Sequence, residues 1–279
     1  MTGDVALRAE GVHSGYGDDA DILAGVDFAA RAGEVTTLIG PNGCGKSTLL
    51  KTMSKLLTPR RGRVVVGDVD LHTLSPRDAA TYVAMLPQHP TAPDGLLVGE
   101  LVARGRHPHQ GRFRGLSHAD REAIAQASEA TDVTDLFDRD VYSLSGGQRQ
   151  RVWLAMTLAQ DTPVLLLDEP TTFLDPAHAI EMLELARAQA RAGKAVVMVL
   201  HDLMLAGQYS DTMVVMKGGE IIARGTPRKT LTPEVLADAY GLRAEAWEDP
   251  RGQAPVIVPR GTISAGLREA AASTVGPSW

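Results

Sequence analysis

The segment IGPNGCGKSTLLK, from Ile39 to Lys51, decides the fold of this chain. It matches the pattern G-x-x-x-x-G-K-[ST] at every fixed position and lies between an apolar run and a helical pattern. Glycines let backbone N–H groups surround phosphate oxygens, and the following helix adds its positive end. Lys46 would reach the terminal phosphates of a nucleotide, and Ser47 would hold Mg²⁺. The segment therefore predicts a strand, a phosphate-binding loop and a helix.

The run PVLLLDEP, from Pro163 to Pro170, is a short apolar strand that ends in two carboxylates. A nucleotide hydrolase needs such groups close to its phosphate loop. Asp168, at the end of the strand, would orient Mg²⁺ and its waters, and Glu169 would polarise the attacking water. Taken alone, the run also fits a buried strand that leads into an acidic turn. The phosphate loop upstream favours the catalytic interpretation.

The order of the patterns predicts an α/β fold with a parallel sheet. Asp175 and Pro176 provide an N-cap and a first helical position, and apolar residues then recur at helical spacing up to Gly193. KAVVMVLHD follows as another buried strand, so the unit is a strand–helix–strand crossover. Upstream, short apolar runs alternate with turn signals over residues 5–37, which predicts an antiparallel sheet leading into a core strand.

Two other regions have distinct patterns. Residues 90–159 carry helix-compatible patterns without strand runs, which predicts a helical lobe inserted into the α/β core. TMVVMKGGEIIARG consists of two strand-like runs around Gly218 and Gly219. This predicts a β-hairpin.

Composition and charge exclude several classes of protein. Lys and Arg total 28 against 34 Asp and Glu, a formal charge of −6, so the sum predicts no nucleic-acid partner. No apolar run approaches the roughly 18 residues that cross a bilayer, and the start, MTGDVALRAEG, lacks the pattern of a secretory signal. We therefore expect a cytosolic chain. Cys44 is the single cysteine, which excludes an internal disulfide, and we expect it to be a small packed residue.

Three motifs taken in order resemble those of the ATP-binding cassette (ABC) ATPases: GPNGCGKS, LSGGQ at Leu144 to Gln148, and LLLDEP. The resemblance runs from about Val5 to Gly261. It implies a P-loop NTPase of ABC type, with a mixed sheet core, an antiparallel N-terminal β patch and an inserted helical lobe. It also implies one domain over residues 1–260 and a tail over 261–279. Within that domain, residues 1–89 and 160–260 would form a RecA-like core with a β subdomain, and 90–159 the helical lobe.

The resemblance also implies ATP and Mg²⁺ as cofactors and a role for individual residues. Tyr16 would stack on adenine, although a turn tyrosine is the structural alternative, and His201 would contact the γ-phosphate, although a strand-end histidine is often structural. The implied catalytic residues are Glu169, His201 and Gln88, and the implied Mg²⁺ ligands are Ser47, Gln88 and Asp168. The implied nucleotide contacts are Tyr16, Gly40, Pro41, Asn42, Gly43, Cys44, Gly45, Lys46, Ser47, Thr48, Ser145, Gly146, Gly147, Gln148 and Asp175.

The LSGGQ signature implies a homodimer. In this family two subunits assemble head to tail, so Ser145 and Gly147 of one subunit would close over the γ-phosphate held by the other. The helix from Gln148 onward would aim its positive end at that phosphate. Asp175, besides capping its helix, would communicate across the dimer. ATP would then hold the dimer closed, and hydrolysis would let it reopen.

Longer segments resemble bacterial importers of ferric siderophores, with haem and cobalamin importers as close relatives; they include LLVGELVARGRHPHQGRF from Leu96 and EDPRGQAPVIVPRG from Glu248. The resemblance implies polytopic permease subunits as partners, a substrate-binding lipoprotein as an indirect partner, and a place at the cytoplasmic face of the cell membrane. Residues 104–109 would dock the permease, and His107 and His109 lack the further ligands of a metal site. A soluble single-cassette ATPase, such as an iron–sulfur assembly factor, stays open as an alternative.

Overall fold

The computed structural model describes residues 4–17, 20–111, 115–172, 174–250, 252 and 254–263. The strands are β1 (Val5–Ser14), β2 (Leu23–Arg31), β3 (Val35–Ile39), β4 (Arg61–Val66), β5 (Val69–Asp70), β6 (Val83–Leu86), β7 (Val164–Asp168), β8 (Ala195–Val199), β9 (Thr212–Lys217), β10 (Glu220–Gly225), β11 (Leu242–Trp247) and β12 (Val256–Thr262). The helices are α1 (Lys46–Met53), α2 (Pro76–Ala79), α3 (Val98–Arg104), α4 (His118–Ala130), α5 (Gly146–Ala159), α6 (Pro176–Arg191), α7 (Leu203–Tyr209), α8 (Pro227–Thr230) and α9 (Pro233–Tyr240).

A six-stranded sheet, in the order β10-β9-β3-β8-β7-β6, forms the centre of the molecule. Its strands are parallel except β10, which pairs antiparallel at one edge. β7 and β8 are buried at every position, as expected for strands covered on both faces. Along β3, Val35 and Ile39 join one buried apolar cluster and Leu38 joins the other. The predicted parallel crossover, β7–α6–β8, is confirmed.

An antiparallel sheet in the order β2-β1-β4-β5 covers one face of the central sheet. Leu7 and Phe28 of this sheet share a buried cluster with Leu38 and Leu166 of the central sheet. The predicted antiparallel patch is therefore confirmed for β1 and β2, and β3 is the core strand into which they lead. β4 and β5 were not predicted.

The helical lobe contains α3, α4 and α5, and residues 90–111 and 115–159 contain no strand. Leu97 and Asp140 form an isolated antiparallel bridge within the lobe. Trp153 and Leu154 of α5 are buried in the same apolar cluster as Leu167 of β7. This packing connects the lobe with the central sheet and confirms the predicted insertion of helices into an α/β core.

Two hairpins complete the C-terminal part. β9 and β10 are joined by Gly218 and Gly219, both with positive φ, as predicted and as a tight hairpin turn requires. β11 and β12 form a second hairpin, which was not predicted. β12 extends to Thr262, and most of the predicted tail, from residue 264 onward, lies outside the described residues. Across the described part of the chain, the helices are too short or too polar to cross a bilayer.

Candidate nucleotide-binding site

Four strand ends meet at the carboxyl edge of the central sheet. The phosphate loop follows β3, Gln88 follows β6, Asp168 ends β7, and His201 follows β8. Ligands of open α/β sheets bind at this edge, because the loops that leave neighbouring parallel strands converge there. A cavity of about 180 Å³ lies between these loops, with residues of the phosphate loop, Glu169 and His201 in its wall.

Three glycines shape the phosphate loop. Gly40, Gly43 and Gly45 have φ angles of 150°, 77° and 105°, values that residues with a side chain rarely adopt. At Gly40, a Cβ would also collide with the carbonyl oxygen of Met216 on β9. The loop therefore requires glycine at these positions, and α1 begins directly after it at Lys46.

Lys46 crosses its own loop at the wall of the cavity. Its side chain is buried, and Nζ donates hydrogen bonds to the carbonyl oxygens of Gly40 at 2.8 Å and Pro41 at 3.0 Å. A buried ammonium group is costly unless acceptors or an anion compensate its charge. The two carbonyls hold the amine in place, and the cavity beside it fits a phosphate anion.

Ser47 and Asp168 lie together below the loop. The Ser47 hydroxyl donates to Oδ1 of Asp168 at 3.1 Å, and Asp168 is buried. Burial raises the pKa of Asp168, and the neighbouring Glu169 raises it further, while the hydrogen bond from Ser47 opposes the shift. A hydroxyl and a carboxylate beside a phosphate loop are oxygen ligands of the kind that Mg²⁺ prefers.

Glu169 is the centre of a hydrogen-bonded group. Gln88 Nε2 donates to Oε2 of Glu169 at 2.6 Å, and His201 Nε2 lies 2.5 Å from Oε1. Thr172 Oγ1 also donates to Oε2, at 3.2 Å. The structure thus brings the three predicted catalytic residues into direct contact. Thr172 was not predicted, although its place three residues after Glu169 in the sequence could have indicated it.

Three further residues that were predicted to contact the nucleotide differ in their exposure to solvent. Tyr16 is 43% exposed, and Lys51 Nζ donates to its hydroxyl at 3.2 Å, so the ring lies on the surface near α1. Thr48 and Cys44 are buried. Cys44 joins the apolar cluster below the loop, which confirms that it is a packed residue.

The signature residues lie at the start of α5 and are not in the wall of the phosphate-loop cavity. Ser145 is the N-cap: its hydroxyl accepts from the backbone N–H of Gln148 at 3.3 Å, and Gln148 Oε1 accepts from the N–H of Ser145 at 3.2 Å. Gly146 and Gly147 line two other cavities. Within one chain, the structure therefore does not bring the signature together with the phosphate loop.

Asp175 caps α6, as predicted. Its Oδ1 accepts from the backbone N–H groups of Ala177 and His178, at 3.0 and 3.1 Å, and its Oδ2 lies 2.5 Å from Nδ1 of His178. The hydrogen bonds from His178 lower the pKa of Asp175. The carboxylate is therefore fixed in direction although it is exposed.

A phosphate loop after one parallel strand, with a buried aspartate and a glutamate at the end of another, defines a P-loop nucleoside triphosphatase. The family model "ABC transporter" matches residues 23–172. The iron(3+)-hydroxamate import ATP-binding protein FhuC of Bacillus subtilis is 46% identical, over 91% of this chain and 94% of its own. The ferric enterobactin transport ATP-binding protein FepC of Escherichia coli is 43% identical, over 94% and 97%. The dimeric structure of a bacterial ABC transporter cassette, MJ0796, superposes with a TM-score of 0.70 at 26% identity, covering 80% of this chain and 99% of that one.

The chain belongs to the ABC transporter family, as an ATP-binding subunit that hydrolyses ATP. Its fold is that of the ABC ATPase cassette.

Proposed function

We propose that this chain hydrolyses ATP to power the import of a ferric siderophore through a membrane permease. The observation that carries the catalytic part is the position of Glu169 at the cavity of the phosphate loop, with Gln88 and His201 bonded to its carboxylate. The cargo class is supported by two relatives whose names give iron(3+)-hydroxamate and ferric enterobactin, and this chain covers more than nine-tenths of each.

The phosphate loop and Tyr16 would hold ATP. Backbone N–H groups of the loop and the amine of Lys46 bind the β- and γ-phosphates, and the exposed ring of Tyr16 stacks on adenine. Mg²⁺, when bound, neutralises charge on these phosphates. Ser47 and Asp168, already 3.1 Å apart, would hold it together with Gln88.

Glu169 would then act on the attacking water. Its carboxylate polarises the water and takes up a proton as the water oxygen bonds to the γ-phosphorus and the oxygen that bridges the β- and γ-phosphates leaves with ADP. Gln88 positions the water, and His201 contacts the γ-phosphate. Both side chains already lie within hydrogen-bond distance of Glu169, so the three side chains converge on one point.

The complete site would need a second copy of the chain. In their own chain, the cavity of the phosphate loop is not lined by Ser145, Gly146, Gly147 or Gln148. A head-to-tail homodimer would place them over the γ-phosphate of the partner subunit. Asp175 would communicate between the two sites. The dimeric structure of a similar cassette supports this assembly.

The proposal includes a place and partners for the dimer. We assign it to the cytoplasmic face of the cell membrane, where polytopic permease subunits hold it and receive cargo from a substrate-binding lipoprotein. Arg104, His107 and His109 are exposed at the proposed docking segment. Residues 90–159 would move as a lobe relative to a core made of residues 1–89 and 160–260.

Uptake by a strain that lacks the gene tests the proposed function. Wild-type protein should restore accumulation of a labelled ferric siderophore, and the Glu169→Gln variant should not. If the wild-type protein instead restored uptake of haem or cobalamin, that compound would be the cargo and the assignment to ferric siderophores would be wrong. Absence of uptake of all three, with no polytopic subunit purified alongside the chain from detergent-solubilised membranes, would favour a soluble ATPase.

A further inference from the structure

Two backbone segments run antiparallel inside the helical lobe. Residues 96–99 and 137–141 exchange backbone hydrogen bonds of 3.0 Å around the bridge between Leu97 and Asp140. The first segment enters the lobe from Gln88, and the second leads into the signature. The segment that follows Gln88 and the signature are therefore connected by backbone hydrogen bonds within the lobe.

Tyr142 extends this contact with its side chain. Its hydroxyl donates to the carbonyl oxygen of Ala92 at 2.7 Å and accepts from the N–H of the same residue at 3.2 Å. One hydroxyl thus binds both backbone groups of a residue 50 positions away. Because Tyr142 is 46% exposed, these hydrogen bonds contribute more to its position than burial does.

Ala92 and Tyr142 each lie close in sequence to a residue of the proposed ATP site. Ala92 lies four residues after Gln88, which donates to Glu169, and Tyr142 lies three residues before Ser145, the N-cap of α5. Four residues of extended chain span at most about 14 Å. Gln88, Ala92 and Tyr142 also line the same cavity of about 340 Å³. A short path of contacts therefore joins the water-activating carboxylate to the signature loop.

We propose that Tyr142 is a positioning residue for ATP hydrolysis, because its hydroxyl makes the segment after Gln88 and the signature loop move together. The inference rests on the proposed function, in which Ser145 acts on the nucleotide held by the partner subunit. A change in the contact between Gln88 and Glu169 then shifts Ser145. The two hydrogen bonds, and not the aromatic ring, carry this coupling.

The Tyr142→Phe variant tests the proposal because it keeps the ring and removes both hydrogen bonds. The variant is made in a Glu169→Gln background, and ATP-dependent dimerisation is measured by analytical ultracentrifugation. We expect dimerisation to weaken about threefold to tenfold, as for loss of one or two partly exposed hydrogen bonds. ATP binding by the monomer at low protein concentration should not change. Tyr82→Phe removes a hydroxyl outside both segments and should leave both measurements unchanged.

A double-mutant cycle on ATP-dependent dimerisation, measured in the Glu169→Gln background, separates coupling from local stability. Because Gln88→Ala already breaks the path, adding Tyr142→Phe to it should not weaken dimerisation further. Additive effects of the two substitutions would overturn the proposal. So would a Tyr142→Phe variant that lowers monomer ATP binding and the melting temperature in parallel, since both would indicate a structural role.

The outcomes also separate this inference from the proposed function. If the Glu169→Gln protein forms no ATP-dependent dimer, the proposed function and the role of Tyr142 both fail. If it dimerises, and the Tyr142→Phe variant dimerises equally well, only the role of Tyr142 fails.

Discussion

Glu169 combines a strained backbone with several side-chain contacts. Its φ is 52°, a left-handed conformation that costs a residue with a side chain about 1 kcal/mol or more. Gln88, Thr172 and His201 all bind its carboxylate. The surrounding structure thus fixes the position of this carboxylate at some cost in backbone energy, as is common for residues that act in a reaction.

The Glu169→Gln variant should separate ATP binding from hydrolysis. The amide keeps the shape of the side chain but cannot take up a proton from water, so we expect the ATPase rate to fall at least about 100-fold. ATP should still bind, and the closed dimer should accumulate. Steady-state phosphate release and size-exclusion chromatography with ATP measure the two effects. Lys46→Ala is the contrasting control, because it should lose ATP binding itself. Near-normal hydrolysis by the Glu169→Gln protein would contradict the role assigned to Glu169.

Tyr16 allows a test of adenine stacking at the surface. Tyr16→Ala removes the ring and should raise the KM for ATP about threefold to tenfold, the range expected for one aromatic stacking contact. Tyr16→Phe keeps the ring and loses only the hydroxyl that binds Lys51, so its KM should stay close to that of the wild type. Equal KM values for the two variants would show that the ring does not stack on the base.

Among the helices and strands, those with a strong local sequence pattern were predicted. β7, α6 and β8 were predicted because their strands are unbroken apolar runs and Asp175 with Pro176 caps the helix. β4, in contrast, begins with exposed arginines and buries only its last three residues, so its pattern is short and mixed. β11 alternates between half-buried and exposed positions without a fully buried one. Strands of this kind depend on pairing partners that are distant in sequence.

A buried polar junction at the end of α5 also escaped prediction. Arg106 donates to Oδ1 of Asp120 at 2.9 Å and to the carbonyl oxygen of Ala159 at 2.8 Å. Asp120 accepts two further hydrogen bonds from Ser117. The Ser117 hydrogen bonds, followed by that from Arg106, lower the pKa of Asp120 to about 2. For residues 104–109 the sequence predicted only a docking role, because the partners of Arg106 lie 14 and 53 positions away.

The Asp120→Ala variant should be less stable in a pH-dependent way. Removing one partner of a buried ion pair should lower the free energy of unfolding by about 3 kcal/mol at pH 7. The folded-state pKa lies below the ordinary value of 3.8. The carboxylate therefore contributes fully above about pH 4, and its contribution is lost as the pH falls towards 2. Urea unfolding of both proteins between pH 7 and pH 3 measures the difference.

The exposed pair of Lys217 and Asp238, 2.6 Å apart, provides the control. Asp238→Ala should change the free energy of unfolding by less than about 1 kcal/mol. If the deficit of the Asp120→Ala protein were the same at pH 3 as at pH 7, the proposed origin of the effect would be wrong.

At the scale of the whole molecule, each ATP site should combine two chains. We expect inactive Lys46→Ala and Ser145→Arg proteins to regain activity when they are mixed in the complete transporter, because each mixed dimer contains one intact site. By symmetry, recovery should reach at most about a quarter of the wild-type sites. ATPase assays of the mixture measure it. A chain that carries both substitutions should restore nothing when mixed with either single variant. Recovery in that control would exclude the shared site.

This shared site also marks a limit of sequence reasoning. The phosphate loop and the two carboxylates follow from motifs whose chemistry is local. Ser145 does not line the phosphate-loop cavity of its own chain. This depends on how the lobe packs, and only the family resemblance indicated it. Tyr142 was missed for a similar reason, since nothing near it in sequence indicates that its partner is Ala92.

The position of β3 has a consequence for synthesis on the ribosome. β3 carries the phosphate loop, and its neighbours in the sheet are β8 and β9. Val35 on β3 donates to Asp211, 176 positions later, and Gly219 donates to the carbonyl oxygen of Cys44 in the loop. At about 5–20 residues per second, the loop is made on the order of 10 to 30 s before the strands that support it. The nascent chain therefore has to avoid aggregation for most of its synthesis without the stabilisation that bound ATP provides.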